Sequence, residues 1–316
     1  MYGKMAWVFP GQGSQYLGMG RSIAEAEPEA RAFFDTASER LGYDLASLCW
    51  YGPELKLRQT QYTQPAILTV SAMLAHVLYS RGLEPHVVAG HSLGEYSALV
   101  AAGSLDFEAA VTLVARRGRL MEEAVPGGKG TMAVLLGLES SQVEAICHEA
   151  AQGEVVEPAN INSPGQIVIS GERRAVERAM ALGKENGARR VLELDVSGPF
   201  HSSLMQPAAR VFADDLADVS LANPKIPLVA NVTADYVQGP AAVRRALIQQ
   251  LSSPVRWEET IRRLVADGVQ TFVEVGPGKV LTGLIKRISR KVGTIAFQEM
   301  EDLEKVLEMA KGDIVI

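Results

Sequence analysis

The residues Gly90-His91-Ser92-Leu93-Gly94 place a serine between two glycines, directly after the short apolar run Pro85-His86-Val87-Val88-Ala89 and directly before a helix-forming stretch from Glu95 to Ala102. A serine on a sharp strand-to-helix turn is the arrangement of a nucleophile elbow. The turn lifts the hydroxyl clear of the sheet, and the following helix amino terminus favours developing negative charge. The backbone N–H of Leu93 is then placed as an oxyanion donor. The plainer reading is a strand-to-helix turn with a capping serine. A nucleophilic serine needs a base, and the chain has five histidines. His76 and His148 fall inside helical patterns, and His86 opens the strand. His91 neighbours Ser92, so its side chain should point to the other side of the elbow. Elimination leaves His201, in Ser197-Gly198-Pro199-Phe200-His201-Ser202, against the alternative that it is an ordinary hydrogen-bonded histidine.

A positive charge accompanies them. Phe107, Val111, Val114 and Met121 form an apolar helical stripe, and Arg117 lies on or beside it. Two readings stand: a stem packed on the protein with its head in water, or a guanidinium held in a cleft to grip a carboxylate through two parallel hydrogen bonds.

The elements that must position these groups are α/β in pattern. Met5–Phe9 reads as a buried strand that turns at Pro10-Gly11-Gln12-Gly13, and helices are expected at 20–41, 64–81 and 106–124. From Thr131 to Leu194 the order is β-α-β-β-α-β, a ferredoxin-like unit. After Gly198-Pro199 the larger pattern resumes, with strands at 228–231 and 270–275 and helices at 202–218, 240–251, 255–267 and 278–290. The expected organisation is a large α/β domain over residues 1–127 and 198–316, with a small ferredoxin-like subdomain over 128–197 inserted in it.

Composition narrows the class. The chain has 316 residues, 47% apolar and 22% charged, with a net charge of −6. Nothing global points to nucleic acid or to an anionic membrane surface. Cys49 and Cys147 sit in no paired spacing, so neither a disulfide framework nor a metal site is indicated. No apolar run approaches the length of a membrane span or a signal-peptide core. The expectation is a cytoplasmic monomer. Nucleotide motifs fail on single residues: Tyr16 stands where GxGxxG needs glycine, and Glu123 where a P-loop does.

Several separated motifs together resemble the malonyl-CoA:acyl carrier protein transacylase family of fatty-acid and polyketide synthesis. They are Phe9-Pro10-Gly11-Gln12-Gly13-Ser14-Gln15, Gly90-His91-Ser92-Leu93-Gly94-Glu95, Arg116-Arg117-Gly118, Asn160-Ile161-Asn162-Ser163-Pro164-Gly165-Gln166, Gly198-Pro199-Phe200-His201-Ser202 and Glu274-Val275-Gly276-Pro277-Gly278. They run in family order from residue 7 to residue 280. The resemblance implies an α/β-hydrolase-like core with the ferredoxin-like insertion. It implies a malonyl ester on Ser92, His201 as general base and acid, and Arg117 on the malonyl carboxylate. Gln12 and Leu93 would supply the oxyanion amides, and the Gln250 backbone carbonyl would orient His201. Phe200 resembles the bulky residue of malonyl-selective members, and His91 and Asn162 join the expected substrate site. No cofactor is implied beyond the substrates malonyl-CoA and carrier-bound phosphopantetheine. The acidic carrier protein needs a basic landing surface; Lys279, Lys286, Arg287, Arg290 and Lys291 form one candidate and Arg189-Arg190 another, each also readable as a solvated face. The rivals are a serine esterase or thioesterase with Asp195 as the triad acid, a polyketide-pathway acyltransferase, and a carrier-binding module without activity.

Overall fold

The structure is a computed structural model that describes residues 3–311. Its strands are β1 (Lys4–Phe9), β2 (Val87–Gly90), β3 (Gly130–Leu136), β4 (Val156–Ser163), β5 (Gln166–Glu172), β6 (Arg190–Glu193), β7 (Leu228–Val229), β8 (Tyr236–Val237), β9 (Val269–Val275) and β10 (Gly293–Phe297). They form two sheets, one of order β10-β9-β1-β2-β7-β8 and one of order β4-β5-β3-β6. The fold is mixed α/β. In the six-stranded sheet all neighbours are parallel except β7 and β8, whereas the four-stranded sheet is antiparallel throughout.

β1 and β2 read as unbroken apolar runs because both faces of a parallel sheet are covered. Met5, Trp7 and Phe9 enter one core with the helices Thr60–Ser80 and Phe107–Glu123. Ala6 and Val8 enter a second core with Trp257, Ile261, Leu281 and Ile285 on the other face. The four-stranded sheet has its own core, in which Ala133, Leu135 and Ile169 meet Val143, Ile146, Val176 and Ala179 of its two helices. Its opposite face, through Met132, Val134 and Val168, joins the large core.

Chain order runs from β1 to β2 and β7 on one side, then returns to β9 and β10 on the other. The carboxyl ends beside β1 are therefore where an open α/β sheet places a ligand crevice. There Phe9 pairs with Gly90, which sets the Pro10–Gln12 loop against the His91–Leu93 turn.

The β-α-β-β-α-β order of residues 130–193 is as expected, and several boundaries differ. The helix expected at 20–41 is two, Arg21–Ala26 and Pro28–Leu41, broken at Glu27 because its extended backbone precedes a proline. The helix expected to open near Thr63 and Pro65 begins at Thr60 and carries Pro65 inside it. One lost backbone donor is tolerated there, since every residue from Thr63 to Ala75 is buried. Asn162 and Ser163, expected in a turn, extend β4. Helices Leu45–Tyr51, Glu54–Leu57 and Leu303–Lys311, and strands β8 and β10, are additional.

Candidate active site

Ser92 has φ of 50°, a left-handed conformation that a side chain adopts only where the surroundings enforce it. Its neighbours explain the enforcement. A Cβ on Gly94 would lie 2.0 Å from the Phe9 carbonyl oxygen, and one on Gly90 would lie 1.9 Å from the Gly94 carbonyl. Strand, turn and helix touch backbone to backbone. Asn231, just after β7, clamps the turn from outside: its Oδ1 accepts from the Ser92 N–H at 2.7 Å and its Nδ2 donates to the Gly90 carbonyl at 2.6 Å.

His201, also left-handed at φ 59°, brings Nε2 to 2.8 Å from Ser92 Oγ. Its Nδ1 lies 2.8 Å from the Gln250 carbonyl oxygen. A carbonyl only accepts, so Nδ1 carries the proton and Nε2 is free to accept the serine proton. Burial pushes the His201 pKa down from 6.5 to about 3, and the nearby Arg117 charge pushes the same way, so the imidazole is neutral at physiological pH. The sign follows. Between pH 6.5 and about 3 the unfolded chain binds a proton that the folded His201 refuses, so its contribution to stability is lost as pH falls through that window. The free-enzyme base is intact over the same range. The expected kcat/KM for loading does not decline between about pH 7 and pH 5; a half-maximal point near 6.5 would contradict it.

Arg117 is fully buried. It is not the half-wet arginine of the first reading. Nη1 donates to Gln64 Oε1 at 2.9 Å, and Nη2 donates to Gln250 Oε1 at 2.8 Å and to Ser92 Oγ at 3.2 Å. The Tyr96 ring lies beneath, 5.3 Å from Cζ. Gly118 allows this placement: a Cβ there would come within 2.7 Å of the Thr60 carbonyl, so only glycine lets the helix Phe107–Glu123 press onto the start of Thr60–Ser80. Among the described residues no carboxylate comes within ion-pair distance of Arg117. Burial lowers its proton affinity, and its direct contacts are two neutral amides, a hydroxyl and a ring. A buried guanidinium so arranged has the chemistry to take an anion from outside.

Around these groups lies a cavity of about 110 Å³, walled by Gln12, Leu93, Met121, Met132, Asn160 and Phe200 as well as by the reacting residues. Among the described residues the backbone N–H groups of Gln12 and Leu93 have no protein acceptor. A groove of about 370 Å³ along Tyr16, Leu57 and Arg58 shares Gln12, Leu194 and Val196 with this cavity. The larger cavity of about 610 Å³ opens at the other ends of the strands, around Lys4, His86 and Lys225, and holds none of the reacting groups.

The other expected residues sort plainly. His91 Nε2 lies 2.8 Å from Asn162 Oδ1, so the two engage each other. Asn160, rather than Asn162, lines the cavity. Phe200 is buried in its wall. Asp195 cannot complete a triad: its side chain is 93% exposed and pairs with Arg58, while the Gln250 carbonyl occupies His201 Nδ1. Three contributors went unread in the sequence. Gln64 is a polar residue in a buried apolar stretch, which is a visible signal. Glu95 was part of the elbow motif without a task. Asn231 closes a two-residue strand and gives no local sign.

The profile of the family described as Acyl transferase domain matches residues 6–312. The chain belongs to the acyl transferase family. Within it, the chain is 47% identical over 311 residues to the Malonyl CoA-acyl carrier protein transacylase of Bacillus subtilis, covering 98% of each. It is 48% identical to the Escherichia coli K12 protein of the same name, covering 97% of this chain and 99% of that one. Among solved structures, an acyl carrier protein S-malonyltransferase from Vibrio cholerae superposes with a TM-score of 0.94 at 50% identity, covering 96% and 99%. A malonyl-transacylase in complex with a type II polyketide acyl carrier protein does so at 0.95 and 48%, covering 97% and 99%. The family match spans all but the first two residues of the strands and every residue that lines the cavity around Ser92.

Proposed function

We propose that this acyl transferase moves the malonyl group from malonyl-CoA to the phosphopantetheine thiol of an acyl carrier protein through an ester on Ser92. The observation that carries the reading is Arg117, a buried guanidinium with no carboxylate at ion-pair distance among the described residues, 3.2 Å from the serine oxygen. In the first half-reaction His201 Nε2 takes the Ser92 proton as Oγ attacks the thioester carbonyl. The tetrahedral oxyanion faces the Gln12 and Leu93 amides, each such donor being worth on the order of 2.7–4 kcal/mol. The proton on His201 passes to the departing CoA thiolate. In the second half the carrier thiol gives its proton to His201 and attacks the ester, and Ser92 recovers its proton. The Gln250 carbonyl holds the imidazole in place of a carboxylate.

The malonyl carboxylate takes the open side of Arg117, and Phe200 crowds the α-carbon. The test is competition for Ser92. Malonyl-CoA should win over acetyl-CoA by the larger factor and over methylmalonyl-CoA by a smaller one, since one methyl is worth only about 1–3 kcal/mol. Equal loading of all three would overturn the reading.

We read residues 1–127 with 198–316 as an α/β-hydrolase-like domain and 128–197 as an inserted ferredoxin-like subdomain. The separate core and the β4-β5-β3-β6 order support this. The landing surface for the carrier spans both parts. Arg287 donates to Gln166 of β5, the Gly137 N–H donates to the Gly165 carbonyl at 2.7 Å, and the Arg189 side chain lies against Gly137. The two basic stretches therefore adjoin. Charge reversal at Lys286 and Arg287 is expected to raise KM for the carrier protein and leave loading from malonyl-CoA unchanged; an unchanged carrier KM would remove this surface. Among the described residues no helix is long and apolar enough to cross a membrane, and none of the cations in this surface needs a lipid to explain it.

A further inference from the structure

Glu95 is the buried carboxylate beside the reacting groups that the mechanism leaves without a task, only 1% exposed. Its Oε2 accepts from the Asn231 N–H at 3.0 Å and from Gln250 Nε2 at 2.8 Å. The same Gln250 side chain presents Oε1 to Arg117 Nη2 at 2.8 Å. One amide thus stands between a buried cation and a buried anion, its oxygen toward the first and its nitrogen toward the second. Nε2 also donates to the Ser92 carbonyl at 3.0 Å. That second acceptor holds the amide the same way round whether or not Glu95 is charged.

We propose that Glu95 is a positioning residue for acyl-group selection: through the Gln250 amide its carboxylate offsets the Arg117 charge in the empty site, and it takes up a proton from solvent when the substrate carboxylate arrives. This rests on the malonyl reading of the site. Two carboxylates around one guanidinium in a dry pocket repel each other, so binding the second raises the proton affinity of the first. Burial already raises the Glu95 pKa to about 7, with Arg117 and the Asn231 and Gln250 bonds opposing. Arg117 from the helix Phe107–Glu123 and Tyr96 from its own helix act on it electrostatically; His201 of the junction loop and His91 of the elbow belong to the same site. The helix Thr60–Ser80 contributes neutral Gln64, with Tyr79 at the far end bonded to the Ala101 carbonyl. Of these only Glu95 can gain a proton near neutrality.

Glu95→Gln keeps an acceptor for both bonds and removes the charge. At about pH 8 its KM for malonyl-CoA should fall about fivefold below that of the unaltered enzyme, the factor that one pKa unit of coupling gives one unit above a pKa of about 7. The two values should converge at about pH 6, and kcat/KM for acetyl-CoA should match at both. A merely structural role would shift both substrates alike at every pH, and that result overturns the proposal. A second measurement does not depend on the variant folding. Calorimetry of malonyl-CoA binding to Ser92→Ala, in buffers of differing ionisation enthalpy near pH 7.5, should show proton uptake that acetyl-CoA binding lacks. Equal uptake for both overturns it. Failure of malonyl-CoA to load Ser92 at all would instead overturn the proposed function.

Discussion

His201→Ala is expected to slow acylation of Ser92 by about 10²–10⁴-fold, the usual contribution of a positioned general base. The loss should fall on kcat, because His201 touches the nucleophile at 2.8 Å and not the carboxylate receptor. KM for malonyl-CoA should change little. Both half-reactions should slow together, since one imidazole serves as base to the serine in the first and to the carrier thiol in the second. The variant also leaves the Gln250 carbonyl without its buried donor, which costs about 1–3 kcal/mol of stability. A thermal melt therefore has to accompany the kinetics. Loss of one half-reaction alone would show that a second base exists.

Arg117→Ala should invert the preference between acyl groups. In the proposed reaction acetyl-CoA leaves the buried guanidinium without an anion in direct contact, and malonyl-CoA supplies one. Breaking such a pair costs about 3–5 kcal/mol, or two to four orders of magnitude in kcat/KM for malonyl-CoA. Acetyl-CoA carries no such dependence and should gain relative rank. The variant has a second signature. The Arg117 charge is one of the causes that hold the His201 pKa down, so its removal should move the acid limb of the rate profile to higher pH. A variant that kept its malonyl preference would place selectivity elsewhere in the cavity.

What could be read in the sequence divides by range. The elbow is local: an apolar strand, two glycines and a helix are contiguous, so a sharp turn at Ser92 was legible, and its left-handed backbone was not. Exclusion of the other histidines left His201 beside the alternative of an ordinary hydrogen-bonded histidine, and only the fold sets its Nε2 2.8 Å from Ser92 Oγ. Arg117 was ambiguous because periodicity places a residue at the edge of a stripe without saying what packs over it. The close approach at Gly118, set by the Thr60 carbonyl of another helix, decides its burial. The side-chain work of Gln250 was not legible at all. Its partners Ser92, Glu95 and Arg117 lie 133–158 residues away, and only the folded sheet brings them together. Strands β7 and β8 have two residues each. A period of two cannot be seen in so short a run as β8; β7 falls within the strand expected at 228–231, but nothing in that run marks the Asn231 side chain as the clamp on the elbow. Pro65 misled in the opposite direction, since a proline near an expected helix start looks like its first turn.

Ser92 is the carrier of the acyl group in the proposed reaction. The most direct test of this is mass spectrometry of the intact protein after brief exposure to malonyl-CoA, followed by addition of phosphopantetheinylated carrier protein. One malonyl group should appear on the peptide that contains Ser92, persist in buffer, and leave for the carrier when the carrier is added. An adduct on any other residue, none at all, or one lost to water as fast as to the carrier would contradict it.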